Sequence, residues 1–415
     1  MFKKRRDYGY YSSYGTSSRR RLRVGRVAII GVIIAVLIIA AVIVLNLTRI
    51  QLMFKGYSFS QASEILTLNS DEENEILSHD KMDHIVEWID NSDHVEWYDE
   101  YERYLALNKK MDYDDVITYI DNLYENQVDS LKDLSYSEKE IWNLVEDGAS
   151  EDDFQYLIDN EYSYDDLKPY RKVAGYQIQK LKEYISAYAT YKDYNYAVGI
   201  TNYPFIISSN GEPKDEYTIT NPKELLTLVK KGFYLPNNYE PDLVDCKIPV
   251  APDCENSKMT EKTANALKEM YDAAKKEGLE LVLNSAYRSY ETQVAIYNDF
   301  ETRYGGQYAA EYVAKPGASE HQTGLGIDLT SQSVVDGQRI TFGDTDEYKW
   351  VVENCEKYGF IIRFESGRDN ITGIAHEPWH LRYVGKDVAK EIVKNNWTFE
   401  EYCLYKNVMP EIEEK

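Results

Sequence analysis

The amino-acid sequence predicts an α+β domain over residues 196–415, carried behind an N-terminal transmembrane helix and an all-α spacer over residues 50–195. Three features lead to this reading. Residues 27–47 form an unbroken apolar run. The acidic stretch that follows repeats short apolar segments at helical spacing. From residue 196 onward, prolines, glycines and β-branched runs alternate with amphipathic helices.

Between Val27 and Leu47 there is no charge, and Asn46 is the one strongly polar residue. A run of that length crosses a hydrocarbon core as a helix. Nine of the 47 basic residues precede it, against Asp7 alone among the 71 acids. Residues 1–26 therefore read as a basic, Tyr/Ser/Gly-rich cytoplasmic tail, and the positive-inside tendency sends everything after Arg49 to the outer side. A cleaved signal peptide is the competing reading. No small-x-small cleavage site follows, and the run is long for a signal's apolar region. The expectation is an uncleaved, single-pass anchor in the cell membrane with an extracytoplasmic remainder. Beyond the apolar run the chain carries 70 acids against 38 bases, which argues against nucleic acid as a partner, because phosphates require neutralisation by Lys and Arg. The 38 tyrosines suit a partly wet surface, since the ring can be buried while the hydroxyl stays solvated.

Over residues 50–195, four segments start with serine and then run apolar at spacings of three and four: Ser60-Gln-Ala-Ser-Glu-Ile-Leu, and the runs from Ser70, Ser137 and Ser150. Serine as N-cap, with acids in the first turn, starts a helix. Their similarity suggests degenerate helical repeats. His79, His84 and His94 lie among the acids here and read as solvated helix-face residues rather than as a metal site. The four cysteines, Cys246, Cys254, Cys355 and Cys403, fall outside the membrane by this topology, where disulfides persist. Three pairings are open, and Cys246 and Cys254 are near enough in sequence to close a small loop. Free buried thiols are the alternative, and the lack of a Cys-x-x-Cys argues against a cysteine zinc site.

In residues 196–415, strand-like runs begin at Leu279, Gly324 and Gly359, with helices expected over Thr260–Glu277, Tyr290–Tyr304 and Tyr348–Tyr358. Two contexts stand out as chemical. In Ser319-Glu-His321-Gln-Thr-Gly324-Leu-Gly326-Ile-Asp328, residues Leu325, Ile327 and Leu329 alternate with Gly326 and Asp328, the pattern of a half-buried strand. Asp328 then faces away from the core leucines, beside a glycine that leaves open space. An acid on such a strand is costly unless it is paired or holds a metal. The second context is His376-Glu377-Pro378-Trp379-His380. Its letters match the His-Glu-x-x-His zinc motif, which needs a continuous helix. Pro378 inside that helix would cost about 3 kcal/mol, and the Leu-Arg-Tyr-Val that follows reads as a strand. Glu377 and His380 are therefore the functional candidates, with His376 a bystander or a supporting group.

These blocks resemble the VanY-type D-alanyl-D-alanine carboxypeptidases, zinc peptidases that share a fold with the Hedgehog signalling domain. The family hallmarks are Ser-x-His-x-x-Gly-x-Ala-x-Asp and a later Glu-x-Trp-His, with Gly326 here in place of the alanine. The resemblance also takes in Leu228-Val-Lys-Lys, Leu235-Pro, Tyr239-Glu-Pro-Asp-Leu and Ser285-Ala-Tyr-Arg-Ser-Tyr-Glu-Thr-Gln293, where Ala286 replaces the more usual glycine. Downstream it continues through Gly359-Phe-Ile-Ile-Arg, Thr372-Gly and His380-Leu-Arg-Tyr-Val-Gly. It spans about residues 222–405 and leaves residues 50–195 uncovered.

The resemblance implies a Hedgehog/DD-peptidase-like fold with Zn2+ held by His321, Asp328 and His380, leaving a fourth position for water. It implies Glu377 as general base and then acid, and Arg288 as the group that steadies the developing oxyanion and the substrate. Ser319 and Gln293 are implied as contacts to the terminal region of the peptide. The substrate implied is the stem peptide of peptidoglycan, trimmed from its carboxyl end, and no protein partner is evident. A peptidoglycan endopeptidase of the same fold is one alternative, and a zinc-containing cell-wall-binding module without turnover is another. Intact Glu377 and Arg288 count against the latter, since a binder needs neither.

Overall fold

The computed structural model describes residues 17–92 and 94–415. They form two compact units, one of residues up to 141 together with 154–159, the other of residues 142–153 and 160–415. The basic tail expected over residues 1–26 lies largely outside the described residues.

The first unit begins with α1 (Ser17–Leu45), within which Gly25–Leu45 is long and apolar enough to cross a membrane and buries none of its side chains. Short helices follow, of which the earliest pack Leu52, Ala62, Ile65, Ile76 and Ile85 into a small core. The expected helix starts hold with a change of cap at two of them. Ser58, not Ser60, accepts from the Gln61 N–H and closes a capping box, and Asn69, not Ser70, accepts from the N–H groups of Asp71 and Glu72. An N-cap needs extended backbone and a side-chain oxygen two or three residues ahead of a free N–H, and Ser60 and Ser70 already lie inside the helical turn. Ser137 caps as expected, onto Glu140, and in the second unit Ser150 caps onto Asp153. His79, His84 and His94 each meet a different glutamate, at Glu75, Glu102 and Glu96.

The second unit contains the α+β architecture. Its main sheet has four antiparallel strands, here β3 (Leu281–Ser285), β4 (Gly326–Ser331), β5 (Phe360–Phe364) and β6 (Glu377–Tyr383), in the order β3-β4-β6-β5. A smaller sheet joins β1 (Tyr217–Ile219), β2 (Phe233–Tyr234) and β7 (Ile412–Glu414). The pleat sends alternate residues to opposite faces. One face of the main sheet presents Leu283, Ile327, Leu329, Leu381 and Phe360 to a core shared with α2 (Glu261–Lys276). Helix α2 fits because Ala264, Leu267, Met270 and Ala274 recur at helical spacing, and Thr260 caps it. Helix α3 (Tyr290–Tyr304) has the expected bounds and starts at the Ser289 cap. The helix expected from Tyr348 begins earlier, as α4 (Asp346–Asn354), because Thr345 caps it. It then tightens into a 3-10 turn over Cys355–Tyr358.

The opposite face of the sheet is not solvated. All six residues of β4 are buried, so the half-buried strand of the sequence reading is a fully covered one. What covers it is a charged cluster and a second apolar core containing Phe233, Ile361, Val384, Phe399 and Leu404. Nor is the space beside Asp328 open. A Cβ at Gly326 would sit 3.1 Å from the backbone of Glu320, which occupies it. All four cysteines are free, and Cys355 and Cys403 are buried.

Candidate active site

His321 belongs to a 3-10 turn over Glu320–Thr323, closed by Gly324 at φ +66°, where a glycine turns without strain. Asp328 stands on β4 and His380 on β6, directly opposite one another in the ladder. All three side chains are buried, and among the described residues they form the one group of histidines and acids placed to hold a metal, with candidate ligand atoms all within 4.8 Å of one another.

The hydrogen bonds settle which atoms face inward. His321 Nδ1 lies 2.6 Å from the Ala286 carbonyl oxygen and donates to it, which leaves Nε2 turned to Asp328 Oδ2 at 3.4 Å. His380 is reversed, with Nδ1 at 2.9 Å from Asp328 Oδ1 and Nε2 at 3.3 Å from Glu320 Oε2. Burial would raise the Asp328 carboxyl, but His321 and His380 outweigh it and hold it well below the usual carboxylate range. Burial pushes the His321 imidazole down. For His380 the bonds to Asp328 and Glu320 overcome burial and lift the imidazole to about 9. A metal at Nδ1 of His380 needs that nitrogen's lone pair, so metal binding and protonation of the ring compete. Two imidazoles and a carboxylate, with one nitrogen of each ring turned inward among buried surroundings, fit zinc with one position left open.

Glu377 reaches the same cleft through an irregularity. Ile362 pairs with Leu381, but Phe364 pairs with Glu377, so two residues of β5 oppose four of β6. Pro378 and Trp379 form the surplus. A bulge of this kind re-aims a side chain, and proline is tolerated there because no ladder donor is lost. Burial pushes the Glu377 carboxyl up to about 7, against the pull of His380 and Arg288 and with some help from Asp328. His376, by contrast, is exposed and its Nδ1 meets the Phe364 carbonyl at 2.9 Å. It precedes a strand, not a helical turn, so the helical zinc motif does not form.

The cleft has a volume of about 590 Å³, and Arg288, Gln293, Ser319, His321, Glu377 and Trp379 are among its lining residues. Arg288 donates to Gln293 Oε1 at 3.0 Å. The amide nitrogen of Gln293 in turn donates to the Ala314 carbonyl at 2.7 Å, and the side chain is buried. Gln293 therefore holds Arg288, a use the sequence reading did not foresee. Ser319 is buried at the head of the turn that carries His321.

Five buried charges behind the site went unassigned in the sequence. Glu320 lies 2.8 Å from Arg363 Nε and 3.0 Å from Arg382 Nη1. Arg363 also forks onto Glu400, at 2.9 and 2.7 Å. Lys230 Nζ reaches Glu400 at 3.4 Å and the Ile206 carbonyl at 2.6 Å. Burial alone would raise the Glu320 carboxyl, but Arg363, Arg382 and His380 reverse this and keep it ionised. The signal was available. Arg363 in Phe-Ile-Ile-Arg-Phe and Arg382 in His-Leu-Arg-Tyr are charges on apolar strands, the same anomaly that singled out Asp328.

An antiparallel sheet with two histidines and an aspartate converging beside a buried glutamate in a cleft is the arrangement of a metallopeptidase site. The family model for VanY, D-alanyl-D-alanine carboxypeptidase, matches residues 256–386. The chain is 48% identical over 188 residues to the Bacillus subtilis protein YodJ, covering 45% of this chain and 69% of YodJ. It is 32% identical over 184 residues to VanXYC of Enterococcus gallinarum, a bifunctional D-Ala-D-Ala dipeptidase and D-Ala-D-Ala carboxypeptidase, covering 43% of this chain and 94% of that one. A solved VanY D,D-pentapeptidase in complex with Zn(II) shares 31% identity, covers 43% of this chain and 99% of its own, and superposes with a TM-score of 0.38. The chain belongs to the VanY family of D-alanyl-D-alanine carboxypeptidases.

Proposed function

We propose that this carboxypeptidase is zinc-dependent, anchored in the cell membrane by α1, and removes the terminal D-alanine from peptidoglycan stem peptides of the D-Ala-D-Ala or L,D type. The observation that carries the reading is the meeting of His321, Asp328 and His380 beside Glu377 in one cleft. Held by His321, Asp328 and His380, a zinc ion would supply Lewis-acid polarisation of the scissile carbonyl and a lowered pKa for the attacking water.

The chain's own groups do the rest. Glu377 takes a proton from the water as its oxygen bonds to the carbonyl carbon, and returns that proton to the leaving amine as the C–N bond breaks. Its raised affinity for a proton suits both halves of that cycle. Arg288, held by Gln293, places a fixed positive charge where the substrate carbonyl develops negative charge. Ser319 and Gln293 border the room for the terminal residue. The anchor supports the choice of substrate, since peptidoglycan lies just outside the membrane.

Mass spectrometry of defined stem peptides incubated with the protein tests the activity. Loss of a single carboxyl-terminal alanine is expected. Two internal fragments would make the protein an endopeptidase, and an unchanged peptide would make it a binding module. The topology has its own check. Protease added to intact protoplasts should digest the catalytic unit, and full protection would overturn the outward orientation.

A further inference from the structure

The chain of buried charges from Lys230 to Glu320 ends on a metal-ligand candidate. Glu320 Oε2 meets His380 Nε2 at 3.3 Å, while the other nitrogen of that ring faces Asp328. His321 is steadied from outside by a neutral backbone carbonyl, so the two histidines are held by different means. Behind Glu320, two guanidinium groups fix the carboxylate, Arg363 forks onto Glu400, and Lys230 ties Glu400 to the carbonyls of Ile206, Ile371 and Thr372. A fully buried ion network is a poor stabiliser compared with apolar packing of the same volume. Its placement behind one ligand therefore points to a positional use.

From this geometry we infer that Glu320 is the positioning residue for His380, holding its Nε2 proton so that Nδ1 presents its lone pair to the metal, with Arg363, Glu400 and Lys230 as the rigid backing. The inference rests on the zinc reading above. A carboxylate behind a ligating imidazole fixes the ring and raises its donor strength, and its loss typically costs tenfold to a hundredfold in metal affinity. Glu400 is the internal control, since it shares Arg363 with Glu320 but touches neither histidine.

The test is zinc affinity of the full chain, measured by chelator competition for wild type, Glu320→Gln, Glu400→Gln and His380→Ala, alongside the melting temperature of each. Glu320→Gln and Glu400→Gln should both lower the melting temperature, because each leaves a buried cation uncompensated. Zinc affinity should fall about tenfold to a hundredfold in Glu320→Gln and by a much smaller factor in Glu400→Gln, which loosens the backing without touching either histidine. Equal losses in the two variants, or none in Glu320→Gln, would overturn the positioning role while leaving the ligand set intact. A zinc-replete His380→Ala would overturn the ligand set itself and this inference with it. Nitrogen-15 NMR of the zinc-loaded wild type needs no variant to fold. A proton on Nε2 of His380 is expected, and one on Nδ1 sinks the proposal.

Discussion

Glu377→Ala should lower turnover by about a hundredfold or more while zinc content stays near stoichiometric. Glu377 lines the cleft without belonging to the group of converging ligand atoms, so its loss removes a proton carrier rather than a ligand. The pH dependence follows from its environment. A general base works ionised, so kcat/KM should rise with pH as the carboxyl loses its proton. Burial pushes that carboxyl up to about 7, and a cation at the neighbouring ligands shifts the rise to lower pH. In Glu377→Ala this acid limb should vanish along with the rate. A variant that purifies without zinc, or that keeps wild-type turnover, would refute the role.

The second large effect concerns the metal itself. Asp328→Ala and His321→Ala should each weaken zinc binding by well over a hundredfold, more than the loss of a supporting group produces, and activity should go with it. Asp328 is shared between the two imidazoles, at 2.9 Å from one and 3.4 Å from the other, so its removal leaves two buried rings with no anion between them. His376→Ala is the counterpart that should retain zinc and measurable activity, because that ring is exposed and bonded to the Phe364 carbonyl. Metal analysis of the three purified variants decides the matter. A zinc-free His376→Ala beside a zinc-replete Asp328→Ala would restore the helical His-Glu-x-x-His reading.

Two features of the candidate site were legible from neighbours in the chain, while the proposed ligand set and the roles of Arg288, Ser319 and Gln293 came from the family resemblance. Asp328 is anomalous on an apolar strand, and Pro378 makes a helix through His376 and His380 costly. The alternation around Gly326 marks β4, and the capping residues mark the helix starts to within two residues. Each of these signals is carried by neighbours in the chain.

What escaped the sequence depends on residues far apart in it. Glu320 and Glu400 are eighty positions apart, yet they meet through Arg363, and no local pattern announces a partner at that distance. No local pattern announces Gln293 as a support for Arg288, a role that rests on its hydrogen bonds to Arg288 and to the Ala314 carbonyl. The bulge at Pro378 and Trp379 is decided by pairing with β5, so only the folded sheet reveals how Glu377 comes to face the cleft. The sequence by itself thus determined which residues were chemically out of place on their own strands, since desolvating a charge is costly wherever it sits. The tertiary structure alone decided which opposite charges compensate them and which nitrogen each histidine turns inward, because hydrogen bonds and ion pairs act over a few ångströms whatever the separation along the chain.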